Sequence, residues 1–254
     1  MKLLLSSVFL FRLFGVPVRA HFTWLLLVAG LLAAGSRGYL DTFSRVRTIG
    51  LFIVLVFGSL LVHEFAHVLV ARRHGIRASR ILILPFGCAV MFERPPHAPY
   101  ELWLALAGPL ASALLGMVSG LALLFGDRPS GFGTAAANPI LLVLFEFNML
   151  VAGFNLLPCF PMDGGRILRS LLARIVRRFS RLSEADSFLA ATFIAVRCFA
   201  WPLAAGAIAF SWFTGGGWVY YALLFPLFIL VGEGELWLLR DSRRSEQQAP
   251  AAEV

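Results

Sequence analysis

From Leu51 to Ala71 the chain runs through twenty-one residues of which only Ser59, His63, Glu64 and His67 are polar. Apolar flanks of that length, Leu51 to Leu61 and Val68 to Ala71, read as a membrane-spanning helix, where ionisable side chains are costly and are kept for function. Residues four apart on a helix lie nearly one above the other, so His63 and His67 can aim their imidazoles at one metal ion with Glu64 beside them. His-Glu-x-x-His on a helix is the pattern of zinc hydrolases: two ligands, and a carboxylate that takes a proton from the attacking water. With five histidines among 254 residues, a chance match is a poor explanation.

Composition agrees with the membrane reading. A hydrophobic fraction of 59% with 14% charged residues, and a mean hydropathy of +0.82, lie outside the soluble range and describe a polytopic membrane protein. The net charge of +8 does not point to nucleic acid, because the arginines cluster between apolar spans rather than along a stripe interleaved with exposed aromatics. Cys88, Cys159 and Cys198 are odd in number and widely spaced, which argues against a disulfide framework.

Six spans are expected, over His21 to Ala34, Thr48 to Ala71, Leu102 to Phe125, Pro139 to Leu157, Phe188 to Phe213 and Trp218 to Leu239. The segment Ser6 to Ala20 reads as a membrane-surface stretch, with an alternation at Val16, Val18 and Ala20 that suits a short strand. If the N-terminus is cytoplasmic, the inner segments collect seventeen basic residues and the outer loops four, which sets both termini on the cytoplasmic side. His63 and His67 then lie toward the cytoplasmic end of the second span, about 10 Å from Arg73. Ile81 to Phe92 is apolar and β-prone, with Pro85 and Gly87 at its middle and too few residues to cross, so a re-entrant or membrane-surface β-hairpin is expected. The fold class is therefore all-α and polytopic with one short hairpin, a membrane domain over residues 1–240, and a polar tail over 241–254. Gly108, Ser112, Gly116 and Gly120 in the third span read as close helix packing.

A catalytic zinc site takes three protein ligands, so two histidines leave one to be found. Asp163 sits in Asn155-Leu156-Leu157-Pro158-Cys159-Phe160-Pro161-Met162-Asp163-Gly164-Gly165, where two prolines stop a helix and paired glycines allow a turn. Irregular backbone at membrane depth belongs where it lines a cavity or is buried in protein, so this segment is expected at the site. Cys159 competes as a ligand, although a small buried thiol is its commoner meaning.

Together these residues resemble the site-2 protease family of intramembrane zinc metalloproteases. His63-Glu64-Phe65-Ala66-His67 and Asn155-Leu156-Leu157-Pro158 followed by Pro161-Met162-Asp163-Gly164-Gly165-Arg166 carry the resemblance. Phe14 to His21, Leu84-Pro85-Phe86-Gly87 and Ala107-Gly108-Pro109-Leu110 support it over about Leu13 to Arg169. The resemblance implies one zinc ion per chain held by His63, His67 and Asp163, with Glu64 as general base and Asn155, Gly87 and Pro161 near the substrate. It also implies cleavage within or near a membrane-spanning segment of single-span or few-span substrates, in a prokaryotic cell membrane. Cys88 stands where a second glycine is usual, and no PDZ or CBS module is attached, so the compact prokaryotic members are the most similar.

Two rival readings fit the residues less well. A metal transporter would spread polar residues on both sides of the site, whereas here they cluster on one. A catalytically inactive relative would not need His63, Glu64, His67 and Asp163 intact. His21, His74 and His97 lack helical spacing to a second ligand and read as packing or interfacial residues. Glu146 and Arg197 both fall near the middle of their spans, so an ion pair between them or a wet cavity is expected, the alternative being that each snorkels or is solvated separately. The glutamates of Gly232-Glu233-Gly234-Glu235 either snorkel to the interface or line a polar cavity.

Overall fold

The computed structural model describes residues 7–24, 42–84, 87–93, 98–125, 138–202, 205, 206, 209 and 229–241. Helix predominates, with one small sheet. The strands are β1 (Ser7–Leu13), β2 (Val16–His21), β3 (Ala78–Leu84) and β4 (Gly87–Phe92). The helices are α1 (Thr42–Arg73), α2 (Ala98–Phe125), α3 (Pro139–Asn155), α4 (Asp163–Phe179) and α5 (Glu184–Ile194), which runs into a π-helical turn at Ala195–Ala200. Residues 229–241 form a last helical stretch, α6.

By contact, the chain divides into two compact units, Met1–Pro96 with Ala107–Gly153, and His97–Leu106 with Phe154–Val254. In the first unit the strands lie in the order β1-β2-β3-β4. The outer pairs are antiparallel and β2 runs parallel to β3, with Val18 opposite Ile81 and Ala20 opposite Ile83. Parallel neighbours need a crossover, and α1 lies within that connection. Val16, Val18 and Ala20 alternate on one face of β2, Ile81 and Ile83 on the same face of β3, and all five pack with Val68 of α1 in one buried cluster. Burial of that face fixes the register of the strands under the helix that carries His63 and His67.

The sheet corrects the expectation of an all-α chain with a single hairpin. Ser7 to His21 is itself a hairpin, turned at Phe14 and Gly15, whose φ values of 46° and 85° are both positive. Glycine accepts that conformation without strain, and Phe14 is held in it: its carbonyl accepts from the Arg72 guanidinium at 2.6 Å, and its ring stacks on Phe65 at 4.8 Å. The expected hairpin at Ile81 to Phe92 is present as β3 and β4, but β2 covers one of its edges. β4 is left at the end of the sheet.

Among the described residues, two helices are long and apolar enough to cross a membrane, Ile49–Arg73 within α1 and Tyr100–Phe125 within α2, and Pro139–Asn155 is a shorter apolar helix. The expected fourth span stops at Asn155 rather than Leu157, because Pro158 disfavours helical backbone at the residue before it. Where the fifth span was expected, a helix starts earlier, at Glu184, and the Ser183 hydroxyl accepts from the Asp186 backbone N–H. Most of the first expected span, the end of the fifth, the first half of the sixth, and the tail beyond residue 241 lie outside the described residues. Gly116 and Gly120 do serve packing: a Cβ at either would press on Met149 or Phe145 of α3, at 3.0 Å and 2.8 Å.

In the second unit, α4 begins at Asp163, and Gly164 and Gly165 are its first turn rather than a flexible bend. A Cβ at 164 would collide with the Leu156 and Leu157 carbonyls, and one at 165 would lie 2.8 Å from the Cys159 carbonyl oxygen. Close backbone approach, not turn geometry, is what these glycines permit. The expected Glu146–Arg197 pair is replaced: Arg197 donates to Glu233 of α6 at 3.0 Å, and Trp201 Nε1 donates to the same carboxylate at 3.2 Å. Glu146 lies exposed on α3.

Candidate metal centre

On α1 the four-residue spacing sets the His63 and His67 rings 5.0 Å apart between centroids, and both side chains are buried. Opposite them on α2 stands Gly108. A Cβ at that position would run into the Nε2 atoms of both histidines, so the two nitrogens converge on one space that the glycine keeps open. His63 Nδ1 lies 2.9 Å from Ser112 Oγ, one turn further along α2. With its proton on Nδ1 donated to the serine, His63 presents the Nε2 lone pair to that space, which is how a metal-binding imidazole is held. The run read from sequence as helix packing thus frames the histidines.

Asp163 opens α4 and is buried. His63, His67 and Asp163 form a group that could hold one metal ion, their candidate ligand atoms all within 4.8 Å of one another. Two imidazoles and a carboxylate are the donor set of a catalytic zinc site with an open fourth position. Cys159, the rival ligand, is not in the group; it is buried, and burial pushes its thiol pKa up.

Glu64 follows His63 on α1 and is half-buried. Burial, and after it the Glu64 carboxylate, push the Cys88 thiol up, so Cys88 at the start of β4 feels the charge of Glu64 and stays protonated. Gly87, which opens β4, has φ of 153° with open space where a Cβ would be, so its backbone rather than crowding calls for glycine. Asn155 is half-buried at the end of α3 and Pro161 is exposed ahead of α4. His21 bonds Thr23 Oγ1 at 2.7 Å and takes no part in the metal-type group.

Sequence reasoning missed three partners: Ser112, and the buried pair of Glu101 in the first turn of α2 with Arg169 of α4. Each has its partner 49 or 68 positions away, a distance at which no local pattern operates.

An apolar, membrane-length helix that brings two imidazoles together beside Gly108, within reach of a buried carboxylate, has the donor set of a hydrolase-type metal centre. The chain belongs to peptidase family M50, whose model matches residues 51–128 and 127–197. It is 34% identical over 169 residues to a zinc metalloprotease of Methanocaldococcus jannaschii, covering 66% of this chain and 46% of that protein. It is 26% identical over 166 residues to stage IV sporulation protein FB of Bacillus subtilis, covering 63% and 49%. The chain spans about half the length of the curated relatives it matches. The solved site-2 protease of Methanocaldococcus jannaschii superposes with a TM-score of 0.61 at 28% identity, over 91% of this chain and 95% of that one.

Proposed function

We propose that this chain is an intramembrane zinc metalloendopeptidase that cleaves within or near the membrane-spanning segment of single-span or few-span proteins. The observation that carries the reading is the convergence of His63 and His67 Nε2 on the space beside Gly108, with Asp163 completing the donor set. His63, His67 and Asp163 would hold the ion. When bound, zinc supplies a Lewis acid and makes water a usable nucleophile near neutral pH. Glu64, adjacent to His63, accepts the proton of the attacking water and returns it to the leaving amine. Six spans, with both termini in the cytoplasm of a prokaryotic cell, accord with the arginine distribution.

Substrate must arrive unwound, because a helix hides its carbonyls in its own hydrogen bonds. β4 is the terminal strand of the sheet, so its outer edge can take an extended peptide as an added strand. Gly87 would shape the strand's start, with Asn155 and Pro161 contacting the same peptide.

The test compares wild type with Glu64→Gln, each co-expressed with a tagged single-span protein, by immunoblot and by zinc content of the purified chains. The variant is expected to keep about one zinc per chain while cleavage falls roughly 10²–10⁴-fold. Cleavage at the wild-type rate would overturn the assignment of Glu64, and wild-type protein that takes up no zinc would overturn the metal centre.

A further inference from the structure

The second unit holds a buried charge cluster that the proposed chemistry does not use. Arg169 is 5% exposed and Glu101 1% exposed. The guanidinium grips the Glu101 carboxylate with both Nη2 and Nε, the latter at 3.1 Å, and Ser170 donates its hydroxyl to the same carboxylate at 3.1 Å. Arg169 Nη1 reaches Glu235 of α6 at 3.2 Å. Its guanidinium also lies over two rings, Phe188 of α5 at 4.5 Å and Phe160 at 5.0 Å. One side chain therefore ties α4 to α2, α5, α6 and the loop ahead of Asp163.

Stability alone does not call for such a pair. Replacing a buried ion pair with apolar residues of similar volume is often neutral or stabilising, so a pair that is kept this deep is better explained by the geometry it imposes. The geometry here concerns the start of α4. Met162 at the N-cap makes no side-chain capping bond, so the start of the helix lacks the usual side-chain cap. Asp163 is its first residue, Phe160 stands three residues before it, and Phe160 is pinned under the Arg169 guanidinium. A planar fork stacked between rings sets both the height and the rotation of a helix in a way that a lysine, with one rotating ammonium, does not.

We infer that Arg169, held by Glu101, is the positioning residue for Asp163: it sets the height and rotation of α4 so that the Asp163 carboxylate is presented as a metal ligand. The inference rests on the proposed ligand role of Asp163, and the two can fail separately.

The test uses the full chain purified in detergent, loaded with Co²⁺ as a spectroscopic stand-in for zinc. The visible d–d spectrum and the metal affinity are read for wild type, Asp163→Ala, Arg169→Lys, Glu101→Gln and Glu235→Gln, with apo-protein thermal unfolding as the control for folding. Arg169→Lys and Glu101→Gln are expected to fold yet bind metal roughly 10- to 100-fold more weakly, with a spectrum shifted toward that of Asp163→Ala. Glu235→Gln, whose carboxylate is one third exposed, is expected to shift much less. Arg169→Lys and Glu101→Gln that match wild type in both affinity and spectrum would overturn the inference. Should both of these variants fail to fold, wild-type affinity and spectrum in Ser170→Ala, which removes one hydrogen bond to Glu101, would overturn it. Asp163→Ala with undiminished affinity would instead overturn the ligand role of Asp163 itself.

Discussion

Ser112 Oγ sits 2.9 Å from His63 Nδ1, so a hydroxyl on α2 hydrogen-bonds and orients an imidazole on α1. Polar partners behind a ligand are usually worth 10- to 100-fold in metal affinity. Ser112→Ala is expected to weaken zinc binding by about that factor, and Ser112→Thr to keep most of it. Competitive titration against a chromogenic chelator measures both. Equal affinity in Ser112→Ala and wild type would mean that the serine does not orient the ring.

Gly108 allows propensity and site geometry to be told apart, because they predict opposite signs. Alanine is favoured over glycine in a helix by about 1 kcal/mol, so propensity alone makes Gly108→Ala a stabilising change. Its Cβ would occupy the space against which both Nε2 atoms rest. The apo variant is expected to stay folded, since the imidazoles can swing away, while zinc affinity drops at least about tenfold. Thermal unfolding of the apo protein and zinc titration, run side by side, decide it; a variant that binds zinc normally would show that the space is not the ion's.

Single cysteines along β4, in a Glu64→Gln chain with the native thiols replaced, are expected to crosslink to cysteines that flank a substrate's cleavage site. Reactivity should follow the strand alternation from Gly87 to Phe92. Crosslinks confined to α3, with none along β4, would leave the sheet edge as a lipid-facing anchor.

Arg197 is 47% and Glu233 28% exposed in the side chain, so their bond is a modest one. A double-mutant cycle on Arg197→Gln and Glu233→Gln is expected to give a coupling of about 0.2–1 kcal/mol. Glu146→Gln and Arg197→Gln should be additive. A larger coupling for Glu146 than for Glu233 would reverse the assignment.

What was readable in the sequence was local. His63, Glu64 and His67 share one helical turn, so spacing alone places them together. Asp163 could be singled out because prolines and glycines mark a break in an apolar chain, and the apolar, β-prone run from Ile81 to Phe92, interrupted at Pro85 and Gly87, announced a hairpin. Only the tertiary structure decided the rest. β1 and β2 join that hairpin because an alternating face carries no information about which partner will bury it. Gly108 and Ser112 looked like packing residues, since a small side chain has the same spelling whether it admits a helix or the nitrogen of a ligand. Arg197 chose Glu233 over Glu146, and Arg169 chose Glu101, because a buried charge takes the partner that the folded chain brings within hydrogen-bond reach, and sequence separation says nothing about that distance.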